Sequence, residues 1–422
     1  MKLFSSMDLY KHIPFTHRLR QLSVLLLAAV FMYTFSSPVY ADSIQISHSQ
    51  NTMVLDIEEH IAVTISWCDK QELADPSQAG TLSSSDWYAF SLGRLNKAFG
   101  KDYATSDYID ALQSYIDACY TTSDKLDSSK ATEWHRVCLT LAANGITPSI
   151  PLFADGTFYR GYTKPLATQG VNGSIWALIT LDSLNCDLPA DASDTRETIV
   201  SNILSSHIAG SGFAFTGTDV SIDITANALT ALAPYYLRTT PRLSELSEQT
   251  LDQLTTAVED SLLFLSNTRL SDGGYGSDRT PSSESCSQVL IALTSLGINP
   301  TSDTRFAQDN QNVLTALLSY QNEDGGFAHI AGDSSDTLAT SQALTALTAY
   351  ALYCADGSLV YELTDSCAPL TLPLDMTYEN YNNQQTISSH NPLVILSISL
   401  LVILIVILSL VLLFRHRHQK NH

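Results

Sequence analysis

The side chains best suited to chemistry in this sequence stand at the starts of its apolar segments. Trp87, Tyr88, Trp134, His135, Arg136, Trp176, Asp223, Glu284 and Asp336 combine aromatic faces with a few charges, the make-up of a ligand-binding mouth. Trp87, Trp134 and Trp176 suit a second role equally, filling a crowded core. His135 and Arg136 lean toward a site, because a charge on a buried helix needs a partner or solvent. Carboxylate pairs for acid/base work include Glu58-Glu59, which reads as a solvated stripe, and Glu133 with nearby aspartates. No Gly-x-Ser-x-Gly elbow, phosphate loop or His-Glu-x-x-His occurs. The acidic turns at 272–278 and 322–324 lack the oxygen spacing and terminal glutamate of a calcium loop, so backbone capping accounts for their aspartates. These residues define no metal site and identify no cofactor.

The elements that position them recur. An Asp-Gly or Gly-Gly turn, an aromatic residue, an acidic gap and an Ala/Leu/Thr-rich segment return about every 40–60 residues, the mark of stacked units that bury apolar faces against their neighbours. The clearest copies are Asp272-Gly273-Gly274-Tyr275 before Cys286 to Leu293, and Asp324-Gly325-Gly326-Phe327 before Thr340 to Leu347. Gly210 to Phe213 before Thr225 to Leu232, and Asp155 to Phe158 before Ile175 to Ile179, are looser versions. Helical periodicity divides into two kinds. Segments 86–99, 131–144, 173–184, 223–237, 283–296 and 337–350 are apolar nearly all round and should be buried; 54–69, 107–120, 194–206, 248–266 and 309–320 are amphipathic. Asp107, Asp194, Ser283 and Asp336 are placed to cap helices. The expected fold is all-α: an α/α toroid over 42–365 with inner and outer rings of about six helix pairs, one pair incomplete where 148–170 reads as a loop. Residues 366–391, rich in Pro, Thr, Asn, Gln and Ser, read as a stalk.

The ends of the chain read as addressing signals. The apolar run Leu22 to Phe35 follows Lys11, Arg18 and Arg20 and precedes Val39-Tyr40-Ala41, which fits a signal peptide over 1–41. Leu393 to Phe414 carries no charge and is long enough for a transmembrane helix. Arg415, Arg417 and Lys420 follow it, which puts the tail 415–422 in the cytoplasm and the bulk outside the cell, as a single-pass membrane protein. The outer part holds 15 basic against 42 acidic residues, a net charge of −27. That excess opposes nucleic acid and anionic lipid as partners. Seven cysteines lie in the outer part with no Cys-x-x-Cys spacing; Cys354 and Cys367 could close a short loop, whereas Cys138 and Cys286 read as small core residues.

With Gln321-Asn322-Glu323-Asp324-Gly325-Gly326-Phe327 as its best copy, the repeat resembles that of the prenyltransferase and squalene-oxidase repeat family, which includes terpenoid cyclases, protein prenyltransferase β subunits and cobalamin carriers. Over roughly 70–380 the chain is also similar to uncharacterised surface proteins of Gram-positive gut bacteria. Asp86-Trp87-Tyr88 with Gly93-Arg94, Ala131 to Arg136, Ile179 to Ser183 and Ser283 to Val289 carry that likeness. The resemblance implies the toroid and tests three chemistries. Asp223 falls where a class II cyclase keeps its proton-donating aspartate, but Ser221 and Ile224 replace the flanking aspartates, and Asp223 reads more simply as the cap of its helix. It is the one candidate catalytic residue. Glu284-Ser285-Cys286 echoes the first zinc ligands of a prenyltransferase, whereas Ala339 holds the place of the histidine ligand. A cobalamin carrier needs a β domain, and none follows the ring. The expectation is therefore a non-catalytic, membrane-anchored cell-surface toroid that binds a small molecule or protein at its aromatic rim. The alternative is an enzyme, either a divergent cyclase or a carbohydrate-active toroid; a plugged ring would instead make a spacer.

Overall fold

The computed structural model describes residues 48–389, apart from 122–125, 127–128 and 278–279. The chain divides into two compact units, Met1–Met53 and Val54–His422. Only the start of one helix is described in the first unit; the second holds the rest of that helix and every other described element. The expected leader, transmembrane helix and cytoplasmic tail lie outside the described residues. Among those residues no helix is long and apolar enough to cross a membrane.

The chain is all-α, 57% helix with little strand. Helices alternate in character along the sequence. The even-numbered ones, α2 (Ser83–Phe99), α4 (Ala131–Ala143), α6 (Val171–Ser183), α8 (Ile222–Tyr236), α10 (Ser283–Ser295) and α12 (Thr337–Ala355), are buried over most of their surface. Each packs on the next, and α12 returns to α2, so these six make a closed circuit. Of the odd-numbered ones, α1 (His48–Lys70), α3 (Ser106–Thr121), α5 (Ile150–Gly156), α7 (Arg196–Leu204), α9 (Glu248–Thr268) and α11 (Val313–Leu318), the last four pack on α4, α6, α8 and α10 in turn, and α1 and α3 are hydrogen-bonded to α2. In α9 the buried positions Leu251, Leu254, Val258, Leu262 and Leu265 recur at helical spacing, and the opposite face is polar apart from exposed Leu263.

One arrangement repeats at the entrance to three even-numbered helices. The aromatic residue of each Gly-aromatic turn is fully buried at Phe213, Tyr275 and Phe327. Its N–H donates to a side chain in the first turns of the following helix: Phe213 to Thr225 Oγ1 at 2.9 Å, Tyr275 to Cys286 Sγ at 3.4 Å, Phe327 to Thr340 Oγ1 at 2.8 Å. Its carbonyl accepts from the N-cap N–H of that helix, Ser221, Ser282 and Asp336, at 2.9–3.0 Å. Gly273 (φ +90°) and Gly325 (φ +97°) make the turns; a Cβ on Gly325 would come 2.5 Å from Val63 O.

Cap placement differs from the sequence reading by single residues. Asp336 caps α12, accepting from Leu338 and Ala339 N–H at 2.9 Å. Ser282, not Ser283, caps α10, and Thr195, not Asp194, caps α7. Asp194 instead accepts from Gly161 N–H at 2.7 Å, and Asp107 sits inside the first turn of α3. The segment 309–320 is helical only over α11, because Asp309 and Asn310 take left-handed backbone and Asn312 then caps. Where 148–170 read as a loop, Ser149 caps the short α5 and a 3-10 turn follows at Arg160–Tyr162.

The segment after α12 lies against the domain. Leu363 N–H donates to Ser183 O at 3.0 Å, and buried Arg94 on α2 holds Asp365 (2.7 Å), Ser366 (2.6 Å) and Leu359 O (3.0 Å). Part of the stretch read as a stalk packs there too. In α13 (Tyr378–Ser389) the Tyr381 hydroxyl donates to Asp155 at 2.7 Å, and Tyr378 stacks on Tyr162 with ring centres 4.0 Å apart. Aromatic rings explain this docking, a feature that a Pro/Thr/Asn-rich composition conceals. All seven cysteines are thiols, so the Cys354–Cys367 loop is not closed.

The turn contacts yield a test. Thr340→Val keeps the shape but leaves the buried Phe327 N–H without its acceptor, so stability in urea should fall by about 1–3 kcal/mol. Thr340→Ser, which keeps the oxygen, should recover most of it. Equal losses in both variants would show that packing rather than the hydrogen bond matters.

Candidate functional site

The entrance geometry fixes a register. Counting from each cap, the residues two and six places on fall on one helix face. In α8, α10 and α12 these pairs are Asp223/Asn227, Glu284/Gln288 and Leu338/Gln342; α2 and α6 supply Ser83/Trp87 and Asn172/Trp176 at the same spacing. All ten line one cavity of about 690 Å³ at the N-terminal ends of these helices. Among the described residues no lysine or arginine lines it. His329, from the loop before α12, and Phe215 stand at its edge.

Its deep end is aromatic. Trp87 and Trp176 have ring centres 5.3 Å apart, and Tyr361, brought in by the chain after α12, lies 5.7 Å from Trp176 and 5.5 Å from Phe90. Tyr361 also lines a smaller cavity, about 230 Å³, which includes Asp182, Pro234 and Leu359. The aromatic group therefore sits between the two cavities as a floor. A third hollow, about 730 Å³, includes Asn96, Lys97 and Asp110; Asn96 and Asn144 there are already hydrogen-bonded to Tyr103, Thr105 and Ala89.

The polar end is acidic. Asp223 does not cap α8: Ser221 does, accepting from Ile224 N–H, and Asp223 is freed to face the cavity. Its Oδ1 is buried without a hydrogen-bond partner among the described residues, as is Asn172 Oδ1. Burial raises the Asp223 carboxyl above the usual range, the neighbouring Glu284 charge adds to the rise, and the Ser285 hydroxyl opposes it. Glu284 pairs with His329 Nδ1 at 2.7 Å. That pairing lifts the exposed imidazole above its ordinary value. Gln288 Nε2 donates to Gln342 Oε1 at 2.9 Å, joining α10 to α12.

The structure thus brings together Trp87, Trp176, Asp223 and Glu284 from the sequence-derived set. The other five lie elsewhere. Tyr88 donates to Asp69 at 2.6 Å in the α1–α2 contact. Trp134 is buried against Gly156, its Nε1 donating to Tyr120 Oη at 3.1 Å and Arg160 lying over its ring at 4.7 Å. His135 bonds Gly156 O at 2.6 Å. Arg136 lies 2.7 Å from buried Asp86, which also accepts from Tyr108 and Gly80 and so joins α2, α3 and α4. Asp336 is spent on its cap. Charge on a buried helix required a partner, as the sequence implied, but the partner is internal. Asn172, Asn227, Gln288, Gln342 and Tyr361 were missed. Asn172, Asn227 and Gln288 could have been found four residues before or after a residue already singled out, and Gln342 six after Asp336.

Among the described residues no group of three or more His, Cys, Asp or Glu is arranged to hold a metal ion. No protein-family model matches the chain, and no curated protein matches it.

His135 gives a pH test. Its buried ring is neutral, with Nε2–H donating to the Gly156 carbonyl, and burial pushes its value down from 6.5 to about 3. The unfolded chain therefore takes up a proton first as pH falls. Stability present above pH 6.5 drains away between there and pH 3, at about 1.4 kcal/mol per unit. His135→Gln retains a donor and removes the titration, so its loss of stability on acidification across that window should be shallower than the parent's. Parallel curves would show that His135 does not set acid sensitivity.

Proposed function

We propose that this chain is a non-catalytic ligand-binding α/α toroid of the prenyltransferase and squalene-oxidase repeat type, held at a bacterial cell surface by a C-terminal membrane anchor. The observation that carries the binding reading is a cavity of about 690 Å³ that five helices line with residue pairs four apart in their first turns. Filling eight such positions with tryptophan, amide and carboxylate is a costly way to build a core, since each polar group needs a partner. The closed circuit of six buried helices supports the toroid. Ser221, Ile224 and Ala339, standing where the resembled enzymes keep catalytic or ligand side chains, support a role without turnover. The anchor rests on Leu393 to Phe414 with its basic flank, and the outward orientation on that flank together with the leader at 1–41.

A second reading has one observation in its favour. Asp223 is a buried carboxyl with a raised pKa beside a second carboxylate, the setting of a general acid in a carbohydrate-active or cyclase-like enzyme. Asp223→Asn separates the readings: turnover of a polysaccharide or isoprenoid panel that this change abolishes would make the chain an enzyme.

Native mass spectrometry of the purified chain tests the binding reading. A bound mass that disappears on denaturation is expected. Asn227→Trp, which fills the cavity from α8, should abolish that mass while leaving the helical circular dichroism and melting temperature near the parent's. An adduct that survives Asn227→Trp would place the ligand elsewhere.

A further inference from the structure

The composition of the cavity wall restricts what can sit in it. Two residues of the lining, Asp223 and Asn172, each keep a buried Oδ1 that has no donor among the described residues. Two carboxylates, Asp223 and Glu284, enter from the first turns of α8 and α10, where the helix dipoles favour negative charge. Among the described residues, the only side chain in the lining able to carry positive charge is His329, which is already engaged with Glu284 at the exposed edge. Below them lie the ring faces of Trp87, Trp176 and Tyr361, surfaces that attract cations as well as apolar groups. The excess of acidic residues over the whole outer part draws cations toward this mouth.

We infer that the ligand of this cavity is an organic ammonium compound, whose protonated amine donates to Asp223 and Asn172 while its apolar body rests on the aromatic floor. This rests on the binding reading and narrows its chemistry. An anion would meet two like charges, and a pure hydrocarbon would supply no donor to Asp223 or Asn172, which is costly in a wall of this kind. A neutral polyol could satisfy the acceptors but would leave the carboxylate charge uncompensated. Asp223 lies in the wall with its carboxyl held above the usual range by burial, and an ammonium group is what would bring it back down.

Calorimetric titration of the full-length purified chain at about 150 mM salt, near physiological screening, uses matched probes. Spermidine and glucosamine carry free amines; triacetylspermidine and N-acetylglucosamine are their uncharged counterparts. Saturable one-to-one binding of at least one amine is expected, weakened tenfold or more in Asp223→Asn, with its acetylated partner at least tenfold weaker in the parent. Asn227→Trp should block the same binding. Equal binding of an acetylated partner, if blocked by Asn227→Trp, overturns the ammonium inference and leaves the cavity reading standing. Amine binding unchanged by both substitutions reflects diffuse surface charge and overturns the inference. If none of the four probes binds, the inference is overturned as well; the fate of the native mass-spectrometric adduct in Asn227→Trp then decides the cavity reading separately.

Discussion

The fold depends on how each Gly-aromatic turn is fastened to the helix after it. The aromatic ring supplies burial, but burial has no direction. Direction comes from two hydrogen bonds through one residue: its N–H to a Thr or Cys side chain inside the helix, and its carbonyl from the N-cap N–H. Together they set both the rotation and the height of α8, α10 and α12. A helix free to rotate by one residue would turn by about 100° and carry its polar face into the core. The cavity therefore follows from the turns. Asp223, Glu284 and Leu338 arrive at one rim because each stands two residues after a cap whose position a turn has fixed.

Closure of the circuit needs a further device, since the last unit must recognise the first. The turn of the final repeat supplies it. Gln321 Nε2 donates to Thr64 Oγ1 at 2.8 Å and His60 O at 3.1 Å, and Trp67 Nε1 donates to Asp324 at 3.0 Å, so the turn before α12 is fastened to α1. Gly325 has no side chain because Val63 O occupies that space. The residues that define the repeat signature thus join distant parts of the chain here, 257 and 261 positions apart. Arg94 does comparable work at the other end, gathering the segment that delivers Tyr361 to the floor.

The fold was legible in the sequence to the extent that it is local. Apolar periodicity and Gly-Asn-Pro punctuation identified every even-numbered helix within a few residues. Misplaced caps have a physical origin: Ser, Thr and Asp crowd the entrances, and any of Ser221, Asp223, Ser282 or Ser283 has the chemistry of a cap. Only backbone geometry chooses among them. The same choice decided the site. Once Ser221 takes the cap, Asp223 is released from a structural task that sequence reasoning had assigned to it. His135, Arg136 and Trp134 failed as site residues for the opposite reason. Their partners, Gly156, Asp86 and Tyr120, lie 14–50 residues away, and no local pattern announces such pairs. Tyr361 was invisible because it belongs to no repeat.

Three aspartates on the even-numbered helices show how the protein treats carboxylates it must keep from water. Asp86 is fully buried and has Arg136 at 2.7 Å, along with a tyrosine hydroxyl and a backbone N–H. Asp182 has Arg196 at 2.8 Å, and Arg196 is itself fully buried and shared with Glu245. Among the described residues neither an arginine nor a lysine faces Asp223. What it has is a hydroxyl and the start of a helix, and a helix N-terminus returns only about 0.3–1 kcal/mol, or ~2 at most, against a desolvation cost of several. A scaffold that twice places a guanidinium against an inward carboxylate has the means to do so a third time. The departure occurs at the one such carboxylate that faces the five-helix cavity, which is where a local rule is expected to give way to function.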